Sequence, residues 1–336
     1  MKAAIYSGQE KVEVWELPDP VCGDNDVVIK NIYSSICGTD VAVYTKGPDT
    51  GHKVTVGGEF GHETVSRIVQ VGKNVTEFKV GERVYPYPLY AKNDTGRAGT
   101  IGGFSEAVLV PKAKRNHSLY AVPEEIPDRL ACLIEPFTVG CRAARRGQPQ
   151  KGECAVVFGC GTIGVAAAVA LKYFGMDNVM LCDVSDFRLR IAKGLGFAVC
   201  NTEKEVFVEK AEEYFGTAPS LTGLAPDIDC WIDAAGAESI LDSFMQYGKI
   251  VSRFVSVAVN NKPRKIDLLH MTYAQKSIIG SGGYFPEDVR DVMDIMASGR
   301  WDLESVITHE FPLEQIAQAI QTAADPDKAL NVTIKF

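Results

Sequence analysis

The feature that most constrains this fold is a glycine-rich turn between an apolar run and an alanine-rich stretch. Ala155–Phe158 is a short, continuous apolar run, which is typical of a strand buried on both faces of a parallel sheet. The turn Gly159–Gly164 follows it, and an alanine-rich segment then extends to Phe174. A second apolar run, Asn178–Asp183, ends in an acid. This order predicts strand, turn, helix and strand in a doubly wound α/β sheet.

The glycines of this turn have the spacing GxGxxG, and each suits a different contact with a dinucleotide. Gly159 allows the tight turn, Gly161 lets a diphosphate approach the backbone, and Gly164 lets helix and strand pack closely. The diphosphate would lie at the helix N-terminus, so Thr162 and Ile163 are candidate contacts as well. A glycine-rich turn that binds nothing is the alternative, but the strand before it and the helix after it favour a nucleotide site.

The acid at the end of the second strand bears on which nicotinamide dinucleotide is bound. Asp183 stands nineteen residues after Gly164, where a carboxylate hydrogen-bonds the adenosine ribose and repels a 2′-phosphate. Arg188 follows about one helical turn later, and an arginine can receive a 2′-phosphate instead. With Asp183 present, we place Arg188 over the adenine ribose and predict NAD as the cofactor.

A second group of side chains has the chemistry of a metal site. Cys37, His62 and Glu63 lie on short turns next to glycines, and Glu135 lies before a proline. A thiol, an imidazole and a carboxylate together form the mixed ligand set of a catalytic zinc site that keeps one position open. Cysteine and histidine lie in protein cores more often than on metals, so this set alone is only suggestive. The dinucleotide turn downstream strengthens the zinc interpretation.

Composition argues against several other classes of protein. The chain has 336 residues, 46% of them hydrophobic, and a formal net charge of −8, which favours a two-domain globular protein and argues against nucleic-acid binding. Every apolar run ends well before the ~20 residues that a membrane span needs. Nine scattered cysteines without a CxxC pair argue against a disulfide framework. The N-terminus shows no signal segment, so we expect a cytoplasmic protein with neither nucleic acid nor membrane as a partner.

The pattern divides the chain into two domains, one of them interrupted by the other. Residues 1–130 alternate short β-branched runs with Gly, Pro and Asn turns, which predicts a β-rich unit. Strand and helix patterns alternate through the next segment, and two amphipathic helices and a final strand follow Pro286. We predict a catalytic domain at 1–150 and 281–336 and a nucleotide-binding domain at 151–280.

An ordered series of motifs resembles the zinc-dependent medium-chain dehydrogenase/reductase (alcohol dehydrogenase) superfamily, in particular its sorbitol, threonine and butanediol dehydrogenase branch. The series covers essentially the whole chain: Cys37–Asp40, Gly61–Glu63, Val80–Val84, Gly102–Glu106, Ile134–Phe137, Gly159–Gly164 and Asp233–Gly236. The resemblance implies a GroES-like β-rich catalytic domain and a doubly wound Rossmann domain. It implies Cys37 and His62 as zinc ligands. Glu63 and Glu135 are then a direct ligand and a water-mediated partner, in an order left open, and Thr39 accepts the substrate's hydroxyl proton.

Three departures from the family pattern refine these expectations. The segment Tyr85–Gly103, where relatives carry four cysteines for a structural zinc, contains none, so we predict one zinc per chain. Ala42 replaces the histidine that passes protons to solvent in many relatives, which leaves Tyr44, His52 or water as the next member of the relay. Gly283 stands where sorbitol dehydrogenases have an arginine before a tyrosine, which argues against sorbitol itself as the substrate.

The combined expectation is an oxidoreductase that transfers a hydride from a secondary alcohol to NAD with the help of one zinc ion. Polyols, sugar acids and other hydroxylated small molecules are the expected substrates. Two alternatives stay open, namely a zinc-free NADPH-dependent quinone or enoyl reductase of the same fold and a non-catalytic protein that keeps the fold and a cofactor. The edge strand near Ser277–Gly283 commonly pairs two subunits in the family, so the resemblance implies a homodimer or homotetramer.

Overall fold

A computed structural model describes residues 1–48, 50, 54–91, 100–260 and 262–336. The strands are β1 (Lys2–Gly8), β2 (Lys11–Glu16), β3 (Val27–Ser35), β4 (Gly58–Glu59), β5 (Glu63–Val71), β6 (Arg83–Pro86), β7 (Ala107–Val110), β8 (Leu119–Ala121), β9 (Cys154–Phe158), β10 (Asn178–Asp183), β11 (Ala198–Asn201), β12 (Thr217–Ser220), β13 (Gly223–Pro226), β14 (Cys230–Asp233), β15 (Arg253–Ser256), β16 (Ser277–Gly280), β17 (Ile307–Pro312) and β18 (Asn331–Lys335). The α-helices are α1 (Gly38–Lys46), α2 (Asp128–Ala131), α3 (Ile134–Arg146), α4 (Thr162–Tyr173), α5 (Asp186–Gly194), α6 (Phe207–Phe215), α7 (Glu238–Tyr247), α8 (Leu268–Ala274), α9 (Pro286–Ala297) and α10 (Ile316–Ala323), with 3₁₀ turns at Leu303–Val306 and Leu313–Gln315. Among the described helices, none is both long and apolar enough to cross a membrane.

Six parallel strands form the sheet of one compact unit, Pro136–Ile295. Their order is β11-β10-β9-β14-β15-β16, which is the order of a doubly wound nucleotide-binding sheet. All neighbouring pairs are parallel, so the carboxyl ends of the strands lie along one edge. Cys182 on β10 pairs with Phe158 on β9, and the turn after β9 therefore lies beside Asp183. The predicted doubly wound α/β fold is confirmed.

Aromatic packing against this sheet explains why its central strands are apolar throughout. Trp231 on β14 is fully buried. Its ring stacks on Phe158 with the centroids 5.8 Å apart, and Phe207 packs edge-on against it at 5.4 Å. Such ring pairs stabilise a core beyond the burial of their area alone. They form a rigid base for the turn that follows β9.

The other compact unit, Met1–Glu135 together with Met296–Phe336, is built mainly on antiparallel strands. Its larger sheet has the order β17-β18-β3-β5-β6-β8, with β7 also paired to β3, and a second sheet has the order β2-β1-β4. Only β17 and β18 pair in parallel among the described strands of this unit. Because β18 pairs with β3, the strand near residue 335 completes a sheet that begins near residue 27.

The boundaries of the two units differ from the expected boundaries at 150/151 and 280/281. The six-stranded unit includes nearly all of α3 and α9. Arg145 on α3 forms an ion pair of 2.7 Å with Asp288 on α9, and Asp288 is fully buried. This partly buried pair joins the two helices, a contact that the periodicity of either segment alone does not indicate.

Candidate metal and dinucleotide sites

Two antiparallel strands bring the expected metal ligands together. Ser35 at the end of β3 pairs with Glu63 at the start of β5. Cys37 lies two residues beyond β3, and it therefore lies near both His62 and Glu63. One ligand atom from each of these three residues lies within 4.8 Å of the others. Strand register, and not proximity in sequence, creates this cluster.

The turn before His62 requires glycine. Gly61 has a φ of +87°, in the region that glycine adopts without steric cost. A Cβ on Gly61 would lie 2.6 Å from the Phe104 ring. The Gly61 carbonyl accepts hydrogen bonds of 2.8 Å from the Gly103 N–H and from the Thr100 hydroxyl. These contacts fix the backbone that carries the imidazole and the carboxylate.

Asp40 connects the thiol segment with the imidazole. One of its carboxylate oxygens accepts a hydrogen bond of 3.0 Å from the Cys37 N–H at the start of α1. The other oxygen lies 3.9 Å from Nδ1 of His62. Asp40 is fully buried, and burial raises the pKa of Asp40 to about 6, against the opposing effect of His62. A carboxylate behind a ligating imidazole orients the ring, yet the sequence does not single out Asp40 because this contact is long-range.

The charges at the cluster are those of a site for a cation. Burial raises the pKa of the Cys37 thiol well above its ordinary value, and the nearby carboxylates, Glu63 foremost, add to that shift. Burial also raises the pKa of Glu63. Burial lowers the pKa of His62, but the carboxylates of Asp40, Glu135 and Glu63 outweigh it, so the net shift is upward. A divalent cation would reverse these shifts because it stabilises thiolate, carboxylate and neutral imidazole.

Two buried oxygens at the cluster make no hydrogen bond of ordinary geometry with any described residue. They are Oε2 of Glu63 and Oγ1 of Thr39. An unsatisfied buried oxygen costs about 1–3 kcal/mol, and a ligand bound at the cluster would supply the missing partner. The hydroxyl of Thr39 lies beside the Cys37 thiol and slightly offsets the rise in its pKa. The donor set and the unsatisfied oxygens both fit a metal ion with a hydroxyl compound next to it.

A polar chain from β18 supports Glu63. Asn331 donates a hydrogen bond of 2.8 Å to Oγ of Ser35. The Ser35 hydroxyl lies against the Glu63 carboxylate and offsets part of the burial effect on the pKa of Glu63. The neighbouring Ser34 hydroxyl donates to the Glu63 carbonyl at 2.8 Å. No local pattern in the sequence indicates these contacts, since they join three separate strands.

Glu135 lies close to the cluster but outside its tight group of ligand atoms. It is buried in the first turn of α3. Its charge acts on both Cys37 and His62, whereas the group within 4.8 Å contains Glu63 instead. Of the two carboxylates, Glu63 is therefore the one that the structure places among the ligand atoms.

The expected substitutes for the relay histidine are only partly described. Tyr44 is buried, and its hydroxyl accepts a hydrogen bond of 3.0 Å from Gln321 on α10. Its hydroxyl is thus engaged with a helix of the same unit. His52 lies outside the described residues. Tyr44, His52 and water therefore all stay predictions for the relay member beyond Thr39.

The glycine-rich turn has the close contacts that its spacing predicts. Gly159 has a φ of +99°, and a Cβ there would lie 3.0 Å from the backbone that follows β14. A Cβ on Gly164 would lie 1.7 Å from the Gly159 carbonyl oxygen, so only glycine allows this approach of helix and strand. Gly161 is the N-cap of α4. Thr162 and Ile163 open that helix, at the end that attracts anions.

Backbone groups hold Asp183 at the end of β10. Its two carboxylate oxygens accept hydrogen bonds from the N–H groups of Cys160 at 2.6 Å and Ser185 at 2.9 Å. The Arg188 guanidinium lies 3.9 Å from the point that a Cβ of Gly161 would occupy. Arg188 therefore borders the glycine-rich turn. The carboxylate and the guanidinium thus both lie next to the glycine-rich turn, where the sequence predicts a dinucleotide.

A cavity of about 520 Å³ opens beside Asp183 within the six-stranded unit. Phe158, Phe207 and Ile240 form its apolar part, and Asp183 and Glu203 are the acidic residues that line it. Mostly apolar clefts with a few polar groups are the usual form of a small-molecule site. An apolar slot that ends in an acid fits a planar base joined to a ribose.

Comparison with known proteins covers both units. Residues 23–124 match the model of the alcohol dehydrogenase GroES-like domain, and residues 162–298 match the model of zinc-binding dehydrogenases. The starvation-sensing protein RspB of Escherichia coli K12 is 30% identical over 331 residues, which cover 91% of this chain and 89% of RspB. The chain belongs to the zinc-binding alcohol dehydrogenase family. The family resemblance inferred from the ordered motifs is thus confirmed.

Other similar proteins span the same length. (R,R)-butanediol dehydrogenase of Bacillus subtilis strain 168 is 28% identical over 344 residues, covering 95% of this chain and 94% of that protein. The crystal structure of rspB from E. coli CFT073, complexed with the cofactor NADH, superposes with a TM-score of 0.83 at 26% identity, covering 100% and 99% of the two chains. The chain is therefore an oxidoreductase of this family, with a GroES-like domain and a Rossmann domain.

Proposed function

We propose that this dehydrogenase uses one zinc ion and NAD to oxidise a secondary alcohol. The observation that carries the proposal is the cluster of Cys37, His62 and Glu63, whose ligand atoms lie within 4.8 Å of one another. The unsatisfied oxygen of Glu63 supports its role as the direct carboxylate ligand. Glu135 is then the carboxylate that holds a water molecule next to the metal.

The residues around the ligands divide the remaining tasks. When bound, zinc would act as a Lewis acid that lowers the pKa of a substrate hydroxyl, and NAD would accept the hydride. Thr39 would accept the substrate's hydroxyl proton while its own hydroxyl proton passes to the next member of the relay. Its Oγ1 is buried next to the Cys37 thiol and makes no hydrogen bond of ordinary geometry with a described residue. Asp40 would keep the His62 ring in its ligating orientation.

The proposal of a single zinc per chain rests on the segment Tyr85–Gly103, which contains no cysteine. Aromatic packing occupies its described beginning instead. Tyr87 packs against Tyr90 with ring centroids 5.0 Å apart and against Tyr120 at 6.5 Å. Offset and edge-on ring pairs of this kind contribute about 0.5–1.5 kcal/mol each beyond their burial. These ring contacts hold the beginning of the segment in place without a bound metal ion.

The proposal of NAD as cofactor rests on Asp183, whose carboxylate is held at the end of β10 by two backbone N–H groups. The substrate class is proposed from relatives. Similar proteins are named (R,R)-butanediol dehydrogenase, L-threonine 3-dehydrogenase and sorbitol dehydrogenase. Each of these compounds has a secondary hydroxyl beside a second polar group. We infer that the substrate is a polyol, a sugar acid or a related hydroxylated small molecule.

We also propose that two or four copies assemble in the cytoplasm. Among the described strands, β16 has a single sheet neighbour, β15. Its outer edge carries backbone groups suited to pairing with the same strand of a second copy. The cytoplasmic location rests on the composition and the cysteine pattern alone.

Metal analysis combined with an activity screen tests the proposal. We expect one zinc per chain in purified protein and NADH formation with at least one compound from a panel of polyols, sugar acids and hydroxy amino acids. A protein that lacks zinc after zinc supplementation and reduces C=C bonds with NADPH would instead be the zinc-free reductase. A protein that binds NADH but turns over no alcohol would be the non-catalytic alternative.

A further inference from the structure

The cavity beside Asp183 holds a second carboxylate whose placement bears on cofactor choice. We propose that Glu203 is a selectivity-determining residue, which acts with Asp183 to exclude a 2′-phosphate and thus NADP. This inference rests on the proposed use of a nicotinamide dinucleotide. It extends that proposal because Asp183 alone stands at the expected position in the sequence, and Glu203 belongs to no motif.

The charge of the cavity wall is the first argument. Asp183 and Glu203 both line the cavity, and no lysine, arginine or histidine lines it among the described residues. A phosphate monoester carries about 1.5 to 2 negative charges near neutral pH. NADP would therefore bring this charge into a cavity with two acids and no base, whereas NAD brings two ribose hydroxyls. Like charges at close range oppose binding.

A hydrogen-bond network places Glu203 relative to the turn that carries Asp183. Asn201, which is buried, accepts a hydrogen bond of 3.1 Å from the Glu203 N–H through its Oδ1. Its Nδ2 donates to the Val184 carbonyl at 3.1 Å and to Asp186 at 2.6 Å. Asn201 thus ties the turn after β11 to the turn after β10. The backbone of Glu203, whose side chain is exposed, is thus held next to the turn that carries Asp183.

Backbone contacts also join the same two turns. The Thr202 N–H donates to the Asp183 carbonyl at 3.1 Å. The Asn201 N–H donates to the Glu205 carboxylate at 2.9 Å. Thr202 and Glu203 therefore lie on a turn that is hydrogen-bonded to the end of β10 and to Glu205.

The cations nearest these two turns are accounted for elsewhere. Lys204 follows Glu203 directly, but its ammonium forms an ion pair with Asp186. Arg188 borders Gly161 on the glycine-rich turn and does not line the cavity. At that turn the guanidinium can meet the diphosphate, which NAD and NADP share, as well as the adenine ribose over which its sequence position places it. Neither cation is among the residues that line the cavity.

Direct titration of the purified protein with NADH and NADPH tests the assignment without depending on zinc or on the alcohol. Trp231 stacks on Phe158, which lines the cavity, so a change in tryptophan fluorescence on addition of either dinucleotide gives a binding signal. The variants are Glu203→Gln and Glu203→Lys. Glu209→Gln, an exposed acid on α6, is the matched control for the change in net charge.

We expect Glu203→Gln to tighten NADPH binding by about tenfold and Glu203→Lys to tighten it further. NADH binding should change by less than about twofold in both variants, because uncharged ribose hydroxyls feel the charge weakly. The control should leave both dissociation constants unchanged. An unchanged ratio of NADPH to NADH affinity in both Glu203 variants would overturn the role of Glu203 while leaving the proposed use of NAD intact. Tighter binding of NADPH than NADH by the unmodified protein would overturn both.

Discussion

The two units of this dehydrogenase both bury charged side chains, but they compensate them differently. In the unit formed by Met1–Glu135 and Met296–Phe336, carboxylates surround a thiol and an imidazole, and Oε2 of Glu63 has no hydrogen-bond partner among the described residues. In the unit Pro136–Ile295, the ammonium of the buried Lys276 has an acceptor for each of its donors. The protein itself supplies every hydrogen-bond partner of the Lys276 ammonium, whereas it leaves Oε2 of Glu63 without one among the described residues.

Lys276 is compensated by a helix end and a histidine. Its ammonium donates to the carbonyls of Phe244 at 2.8 Å and Met245 at 2.7 Å, in the last turn of α7. It also lies 3.2 Å from Nε2 of His270, which accepts because an ammonium can only donate. A helix C-terminus attracts positive charge. Lys276 therefore fastens α7 to the start of β16, and its role is structural.

The difference shows how a functional cluster of buried charges can be distinguished from a structural one. Burial of a charge is costly in either case. Where the protein supplies every hydrogen-bond partner, as it does for Lys276, the buried charge has a structural role and needs no ligand. Where acids gather around a thiol and an imidazole and an oxygen stays unsatisfied, as at Glu63, a bound cation would supply the missing partner. We assign the cluster of Cys37, His62 and Glu63 to this second kind.

The largest expected effect comes from removing the Cys37 thiol, which should disable the cluster around Glu63 but leave the nucleotide-binding unit intact. We expect Cys37→Ser to lose its zinc and to lower kcat/KM by about a thousandfold or more, since the Lewis acid is no longer held. NADH binding should persist, because the nucleotide turn lies in the other unit. Cys22→Ser, which alters a partly buried thiol of the same unit, is the matched control. Wild-type turnover by Cys37→Ser would contradict zinc catalysis.

A milder change tests whether the charge of Asp40 beside His62 contributes to zinc affinity. Asp40→Asn keeps an oxygen that can accept the Cys37 N–H but removes the charge beside His62. We expect zinc affinity to fall by about 10- to 100-fold, as for other partners of ligating histidines. Competition with a chelator measures this, and Asp24→Asn, an exposed acid, should leave the affinity unchanged. Zinc affinity at the wild-type level would show that Asp40 only caps α1.

The smallest expected effect concerns Lys276 and the acceptors that surround its ammonium. Burial lowers the pKa of Lys276 from its ordinary 10.5 to about 8. Below pH 8 the folded protein carries the cost of a buried charge, and between pH 8 and 10.5 the folded state releases its proton before the unfolded state does. The free energy of unfolding of the wild type should therefore rise relative to Lys276→Met by about 2 kcal/mol over this range.

Urea unfolding of both proteins at pH 7.5 and pH 10 measures that difference. Lys193→Met removes an exposed ammonium on α5 of the same unit and should show no such trend. A difference between wild type and Lys276→Met that stays constant with pH would mean that the helix carbonyls offset the burial of the charge completely.

The nucleotide site is more readable from the sequence than the metal site, and the reason is contact range. The nucleotide motif lies within six consecutive positions, which include Gly159, Gly161 and Gly164. The turn that it forms can therefore be predicted from their spacing alone. The metal ligands are recognisable by type, but their convergence depends on the pairing of Ser35 with Glu63. The contact of Asp40 with His62 and the support from Asn331 depend on the same long-range register. No local pattern encodes them.

Local sequence propensities also failed to predict one hairpin of the nucleotide-binding unit. The strands β12 and β13 form an antiparallel hairpin that the sequence analysis does not predict. Pro219 lies within β12 and Pro226 ends β13, and proline within a run argues against a strand. The pairing is possible because this hairpin is a two-stranded sheet of its own, where prolines can face away from the ladder. Tertiary context, and not propensity, decides such a segment.

The pairing of β18 with β3 has a consequence for the order in which the protein is made. Asn331 on β18 holds Ser35, and Ser35 lies against Glu63. A ribosome must therefore synthesise the whole nucleotide-binding unit before the strand that supports this carboxylate leaves the exit tunnel. Domains generally fold as units during synthesis, so the six-stranded unit is complete while the first 135 residues still wait for their last strand. The proposed zinc would then bind at a late step of biosynthesis.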